Sequence, residues 1–194
     1  MKEIIVTIFL IAVSFYGRSQ TKVEIKSGSP FYEEVVQLDS SITKESLYKS
    51  AKMSFVKVFK NAKYVTQVDD KELGKLAAKG VLTFNYGSYM NVGNHTEVIQ
   101  FTIDITMKDN GRFRIRVFDF ANRTPSNNYI PISERFGYVG NGLNNKHASF
   151  TQMIVLADSG KKYASEALNN FHNEVQALIN SIKNNMTVTA DDDF

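Results

Sequence analysis

The stretch IQFTIDITMKDNGRFRIRVF, residues 99–118, alternates apolar and polar side chains on both sides of the turn sequence DNG. A period of two is typical of β-strands that bury one face, and the turn predicts that the two strands form an antiparallel hairpin. One face of the first strand consists of Ile99, Phe101, Ile103, Ile105 and Met107. The second strand alternates Phe113, Ile115 and Val117 with Arg112, Arg114 and Arg116.

The length of the turn decides which side chains of the hairpin share a face. With a two-residue turn, Met107 would lie opposite Arg114, and each face would mix apolar with charged side chains. With a three-residue loop, Lys108 pairs with Arg112, and the apolar residues of both strands point the same way. We therefore predict the three-residue loop, in which Gly111 adopts the left-handed conformation that such loops require.

Two amphipathic helices are predicted, one on each side of the hairpin in the chain. The first begins after Thr43, a good N-cap residue, and the second begins after Asp158 or Ser159. Apolar residues recur at three- and four-residue spacing in both segments. They are Leu47, Tyr48, Ala51, Phe55, Val58 and Phe59 in the first helix, and Ala164, Leu168, Phe171, Val175, Leu178 and Ile182 in the second.

Extended segments complete the predicted fold. They lie at 30–38, 64–68 and 76–86, and a further short strand is expected near 150–156. The element order is then strand, helix, four strands or slightly more, and helix. Because the hairpin and each helix have one apolar face, they must cover one another. We predict an α+β fold in which two helices pack on one face of a single curved antiparallel sheet, in the order β-α-β4-α.

Residues 1–19 have the features of a secretory signal peptide. Lys2 precedes a short apolar run, and small residues lead to an expected cleavage between Ser19 and Gln20. The run is shorter than the roughly 20 residues that cross a bilayer. We expect an exported protein, periplasmic or extracellular, without a stable membrane anchor after cleavage. The alternative is that this segment is a buried N-terminal helix or strand.

The rest of the chain is expected to form one domain. We predict a linker over 20–29, a single α+β domain over 30–186 and a disordered acidic tail over 187–194. The formal net charge of the chain is +3, and the positive and negative residues are interspersed. This composition disfavours a nucleic-acid partner. The chain has no cysteine, which excludes a thiolate nucleophile and every zinc site with sulfur ligands.

Four segments carry a resemblance to a known family: SLYKSAKMSFVKVF, NAKYVTQVDD, KLAAKGVLTF and MKDNGRFRIRVFDF. They resemble the exported bacterial family called domain of unknown function 4468. The last helix is similar in position and pattern, and Phe55 stands where members usually carry a Trp. The resemblance implies a fold like that of the TATA-binding protein and a Bacteroidota-like cell envelope. It implies no reaction, ligand or catalytic residue.

No catalytic or metal-binding pattern is found in the sequence. His95, His147 and His172 are isolated, without a second ligand at helical spacing. There is no Gly-x-Ser-x-Gly motif, and the glycine-rich stretch 137–142 lacks the Lys-Ser/Thr ending of a phosphate loop. We therefore predict no cofactor, no metal and no catalytic residue. The alternative is a carboxylate-dependent envelope hydrolase whose site is assembled only in the fold.

The arginines of the hairpin are the first candidate binding surface. Arg112, Arg114 and Arg116 should lie about 7 Å apart along one strand face. Three guanidinium groups in a row could bind an anionic glycan, a lipid head group or an acidic protein. The alternative is a solvent-facing sheet surface that is balanced by Asp104 opposite Arg116.

The Asn- and Gly-rich segment 121–150 is the second candidate surface. Its aromatic residues Tyr129, Phe136 and Tyr138 could close over a ligand or could pin the segment to the sheet. From the two surfaces we predict a non-catalytic envelope module that uses the open sheet face or this segment for binding. The predicted partner is an unknown envelope protein or an anionic ligand, and not a nucleic acid.

Overall fold

The structure is a computed structural model, and it describes residues 22–59, 62–87, 94–124, 126, 128–139 and 146–190. Within these ranges the strands are β1 (Lys22–Lys26), β2 (Ser29–Gln37), β3 (Thr66–Asp70), β4 (Lys75–Gly87), β5 (Asn94–Lys108), β6 (Arg112–Arg123), β7 (Tyr129–Pro131), β8 (Gly137–Val139) and β9 (Lys146–Ala148). The helices are α1 (Lys44–Val58), α2 (Ala62–Val65), α3 (Phe150–Asp158) and α4 (Lys162–Ala190).

The larger sheet is antiparallel and carries the helices on one face. Its strands lie in the order β1-β2-β6-β5-β4-β3, and β7 pairs with the C-terminal part of β6. Strands β8 and β9 pair only with each other within the described residues. Helices α1 and α4 pack together against the apolar face of β4 and its neighbours. The predicted α+β fold, with helices on one face of an antiparallel sheet, is confirmed.

The β5–β6 hairpin has the predicted three-residue loop. Lys108 pairs with Arg112, and the loop residues Asn110 and Gly111 both have positive φ angles, 64° and 66°. A Cβ atom at Gly111 would overlap the carbonyl oxygen of Asp39, so the position has no room for a side chain. The apolar residues of both strands are almost fully buried, namely Ile99, Phe101, Ile103, Ile105, Met107, Phe113, Ile115 and Val117.

A β-bulge interrupts the same hairpin at its far end. Two residues of β6, Asp119 and Phe120, lie opposite the single residue Phe101 of β5. Asp119 has a φ of 57°, and its carboxylate accepts a hydrogen bond from the Thr102 hydroxyl at 3.2 Å. The extra residue shifts the alternation of β6 by one position. Phe120 therefore enters the core, while Asp119 stays exposed.

An aromatic cluster around Phe171 of α4 joins the helices to the sheet. The ring centroid of Phe171 lies between 5.1 and 6.4 Å from those of five other aromatic residues. These are Tyr32, Phe84, Phe120, Phe136 and Phe150, and they come from three strands and from the chain before and at the start of α3. Phe171 itself is fully buried, so the cluster ties the C-terminal segments to the sheet.

Helix α3 replaces the short strand that was expected near 150–156. The apolar run of this segment fits either structure, and the N-cap residue decides between them. Ser149 accepts a hydrogen bond from the backbone N–H of Gln152, whose side chain in turn accepts from the backbone of Ser149. This capping box fixes the start of a helix that buries Phe150 and Met153 against the core.

Other segments also differ from expectation. The region 20–29, predicted to be a linker, contains β1, which pairs with β2. Ser159 is the C-cap of α3 and not the N-cap of the last helix, which begins at Lys162. That helix continues to Ala190, beyond the predicted start of the disordered tail. The predicted signal peptide 1–19 and the end of the tail, 191–194, lie outside the described residues.

Gly80 of β4 has no side chain, and this leaves room for the rings of Phe59 and Phe101 to approach each other over the strand. A Cβ atom at this position would overlap the ring of Phe101 and would lie 2.7 Å from Cε1 of Phe59. Phe101 is 2% exposed and also packs against Phe120, so its ring has little room to move. The close approach therefore requires glycine at this point in the strand.

We expect Gly80→Ala to lower the free energy of unfolding by about 1–3 kcal/mol, because the added methyl group overpacks the core. The smaller gain from restricting the unfolded chain, about 0.4–1 kcal/mol, does not offset this loss. The exposed neighbour variant Lys79→Ala should change stability by about 0.5 kcal/mol or less. Urea denaturation measures both; equal midpoints for Gly80→Ala and the parent protein would contradict the packing argument.

Candidate functional site

The face of the sheet opposite the helices is polar and rich in cations. Because side chains alternate along each strand, the residues that pair with the arginines of β6 also point to this face. They are Glu33, Val35 and Gln37 of β2, and Asp104, Thr106 and Lys108 of β5. Lys75 and Lys79 continue the surface on β4. We call this surface the open face.

Asp104 lies opposite Arg116, as predicted, and this pair is structural. Asp104 is only 3% exposed, although its carboxylate lies on the open face. Its Oδ1 accepts hydrogen bonds from Arg116 Nε at 3.2 Å and Nη2 at 2.9 Å, and from the Thr106 hydroxyl at 3.2 Å. Its Oδ2 lies 3.4 Å from Lys75 Nζ. Arg116 is therefore committed to a buried acid and is the least available arginine of the three.

Arg114 and Arg112 are progressively less well paired. Nη1 of Arg114 lies 3.8 Å from Oε2 of Glu33, while its Nε is shut off from solvent without a hydrogen-bond partner among the described residues. Arg112 is exposed, and its direct cross-strand neighbour is another cation, Lys108. Like charges that face each other across a strand pair destabilise it. Among the described residues no acid forms an ion pair with Arg112 or Lys108, so the hairpin end of the open face is positively charged.

A groove of 280 Å³ lies beside these cations. Its walls include Lys108, Arg112 and Arg114, together with Glu33, Val35, Thr106 and Phe113. The predicted arginine ladder is thus divided by the structure. Two of its members line a groove, and the third pairs with Asp104 outside it. We call this site the cationic groove.

The aromatic residues of the 121–150 segment do not form one surface. Phe136 is fully buried and packs against Phe84, Phe150 and Phe171, so it pins the segment to the core and cannot meet a partner. Tyr129 is 40% exposed on β7. Tyr138 lies on β8 opposite His147, and its side chain is outside the described part of the structure.

A buried polar cluster beside Phe136 was not predicted. Glu97 of β5 is 4% exposed on the helix-facing side of the sheet. Its carboxylate accepts hydrogen bonds from the Tyr86 hydroxyl at 3.1 Å and from Asn122 Nδ2 at 2.6 Å. Asn122 Nδ2 also donates to the carbonyl oxygen of Phe136 at 3.2 Å. Glu97 lies two residues before Ile99, so the alternation of β5 puts both side chains on the buried face of the sheet. This alternation is the signal in the sequence that could have indicated the burial of Glu97.

Burial raises the pKa of Glu97 above its ordinary value of 4.5. The hydrogen bonds from Asn122 and Tyr86, and the charges of Arg135 and His95, act in the opposite direction but do not cancel this effect. Burial and the charge of Arg135 lower the pKa of His147. An acid with a raised pKa near histidines is a feature of some hydrolases. Here Glu97 is buried and each of its carboxylate oxygens accepts a hydrogen bond from a protein group, so solvent and substrate do not reach the acid in this structure.

The described residues contain no group of three His, Cys, Asp or Glu side chains that could hold a metal ion. His172 instead stacks near Tyr32, with ring centroids 5.7 Å apart, and His95 lies 5.5 Å from the ring of Tyr86. Both histidines are therefore packed against tyrosines. No helix in the described ranges is both long enough and apolar enough to cross a membrane.

Comparison with protein families agrees with this fold. Residues 32–121, from β2 into the end of β6, match the family described as "Domain of unknown function (DUF4468) with TBP-like fold". Over these residues the chain is similar to the DUF4468 family. The matched range encloses the hairpin, the cationic groove and Glu97, whereas α3 and α4 lie beyond the match.

Two solved structures are similar to this chain. A TBP-like protein from Parabacteroides distasonis is 16% identical, with a TM-score of 0.51 over 83% of this chain and 97% of that one. A DUF4468 family protein from Bacteroides ovatus is 15% identical, with a TM-score of 0.48 over 80% and 90% of the two chains. No curated protein matches the chain. At this identity the first structure supports the fold alone.

We predict that Glu97→Gln changes how stability depends on pH. Because the folded pKa of Glu97 is raised, the folded state binds this proton more tightly than the unfolded state does. The resulting stabilisation is fully present below pH 4.5 and is lost as pH rises through the folded pKa. Glutamine can accept from Asn122 and donate to the Tyr86 hydroxyl without carrying a charge. Its stability relative to the parent protein should therefore rise with pH.

Urea denaturation below pH 4.5 and at neutral pH tests this prediction. Glu134→Gln is the control, because it removes an exposed carboxylate in the same region. Other titrating groups, including His147, are common to all three proteins and cancel in the comparison. A constant stability difference between Glu97→Gln and the parent protein at both pH values would contradict the proposed burial effect.

Proposed function

We propose that this protein is an exported, non-catalytic envelope module that binds an anionic partner through the cationic groove. The proposal of export rests on the leader-like pattern of residues 1–19. The proposal of binding rests on the hairpin end of the open face. The observation that carries it is the direct opposition of Lys108 and Arg112 at the edge of the groove.

The distribution of acids on the open face supports this choice of site. Asp104 pairs with Arg116 and Lys75, and Glu33 lies within ion-pair distance of Arg114. Neither Lys108 nor Arg112 forms an ion pair with an acid in the described ranges, and the two repel each other. A carboxylate or phosphate between them would remove this repulsion and would accept charge-assisted hydrogen bonds from the planar guanidinium group.

The partner is proposed to be an acidic protein segment or an acidic glycan, and not a nucleic acid. The net charge of +3 is small, and Asp104 and Glu33 interrupt the positive surface. A TBP-like fold does not itself confer DNA binding, because function depends on the site that a fold carries. The hydrolase alternative has less support, since Glu97 is enclosed by its hydrogen-bond partners.

Charge reversal at Arg112 tests the groove. We expect Arg112→Glu to weaken binding of hexaglutamate by about tenfold or more, roughly 1.4 kcal/mol, because a cation in the groove becomes an anion. Stability should be retained, since Glu at this position would lie opposite Lys108. Lys79→Glu makes the same change in charge on the open face but outside the groove.

Isothermal titration calorimetry at low ionic strength measures the three affinities, and added salt should weaken binding by the parent protein. A thermal melt of each variant separates loss of binding from loss of fold. Equal weakening by Arg112→Glu and Lys79→Glu would show that only net charge matters. That result, or an unchanged affinity in Arg112→Glu, would contradict the proposed site.

A further inference from the structure

A second pocket lies at the other end of the open face. It has a volume of 350 Å³, at the lower end of the range for small-molecule sites, which begins at roughly 300 Å³. It lies between the β1–β2 turn, the bulge of β6 and the end of β7. Its lining residues are Lys26, Ser27, Ser29, Pro30, Phe31, Phe118, Asp119, Phe120, Pro131 and Ser133. We call it the bulge pocket.

Two half-buried phenylalanines form the apolar part of this pocket. The rings of Phe31 and Phe118 are 5.9 Å apart, and both point to the open face. Lys26 Nζ lies 3.4 Å from the centroid of Phe31 and so covers that ring. The Arg116 guanidinium carbon is 6.0 Å from the centroid of Phe118. Phe118 is therefore the less covered of the two rings and the one that a ligand could contact.

Polar groups complete the lining. Ser29 Oγ is shut off from solvent and has no hydrogen-bond partner within the described part of the chain. Ser27 and Ser133 bring further hydroxyl groups, and Asp119 brings an exposed carboxylate. An aromatic ring with several hydroxyl groups and one carboxylate is suited to a sugar. The apolar face of a pyranose can lie on the ring while its hydroxyl groups bond to the serines and the acid.

Two residues that line the pocket have an unusual backbone conformation. Ser27 and Asp119 both have positive φ angles, 51° and 57°, and both line the pocket. Such conformations are unfavourable for residues other than glycine and gather at functional sites. At Asp119 the bulge also turns the carboxylate away from the core, which is how this side chain reaches the pocket.

We propose that the bulge pocket is a saccharide subsite and that the open face binds an acidic glycan. Along β6, Phe118 lies about 13 Å from Arg114 on the same face, a span that a short oligosaccharide can bridge. One sugar ring would lie on Phe118, and a carboxylate further along the glycan would enter the cationic groove. The acidic character of the glycan rests on the proposed function, whereas the ring contact at Phe118 does not.

Three probes separate the two parts of this proposal. Tetragalacturonate has sugar rings and charge, its methyl ester has the rings without the charge, and hexaglutamate has the charge without the rings. Phe118→Leu removes the flat ring and keeps an apolar side chain. Asp119→Asn keeps a residue type that tolerates positive φ and removes the carboxylate. Val81→Leu is the control, because Val81 is an exposed apolar residue of the open face outside both pockets.

Calorimetric titration gives the expected pattern. Phe118→Leu should weaken the binding of tetragalacturonate and of its methyl ester by about three- to tenfold, and should leave the affinity for hexaglutamate unchanged. Asp119→Asn should also weaken the binding of both sugars, while Val81→Leu should change none of the affinities. Arg112→Glu should weaken tetragalacturonate and hexaglutamate but not the methyl ester. Thermal melts show whether each variant is folded.

The contrary results are distinct. Binding of hexaglutamate without binding of either sugar would overturn the saccharide subsite and leave the cationic groove intact. Binding of the methyl ester without binding of hexaglutamate would overturn the proposed function and leave the ring contact intact. Sugar affinities that are the same in Phe118→Leu, Asp119→Asn and the parent protein would place the sugar elsewhere and overturn the inference.

Discussion

The pairing of Lys108 with Arg112 across the three-residue loop determines the direction of every side chain in β5 and β6 up to the bulge. Because strands have a period of two, a slip of one residue would send the apolar residues of one strand to solvent. In the observed register both apolar rows face α1 and α4, and both polar rows face away. The register of the β5–β6 hairpin therefore determines both the core and the open face.

The open face is organised by the same register. It places Asp104 opposite Arg116, where the acid is buried and neutralised, and it leaves two cations opposed at the hairpin end. The bulge at Asp119 adds one residue to β6 and so creates the second pocket on this face. A charged surface that holds a buried ion pair in the middle, with one pocket at each end, is better suited to an extended ligand than to a compact ion.

The hairpin register could be predicted from the sequence because only one loop length keeps both faces consistent. Helix α3 could not be predicted as readily, since its apolar run over 150–156 fits a strand as well, although the capping residue Ser149 was visible. The cluster around Glu97 depends on groups that are distant in the chain. The same is true of the ion pair between Glu33 and Arg114, which exists because β2 pairs with β6. Long-range pairing thus distinguishes the three arginines, and their spacing in the sequence does not.

Disulfide cross-linking tests the register most directly, because the chain has no cysteine of its own. Directly opposed residues in an antiparallel pair have Cα atoms about 4.5–5.5 Å apart, which suits a disulfide. In the observed register Thr106 faces Arg114, whereas Met107 points to the opposite side of the sheet. Mild oxidation should therefore cross-link the double variant Thr106→Cys with Arg114→Cys, and should not cross-link Met107→Cys with Arg114→Cys. The reverse result would contradict the register on which the core and the open face depend.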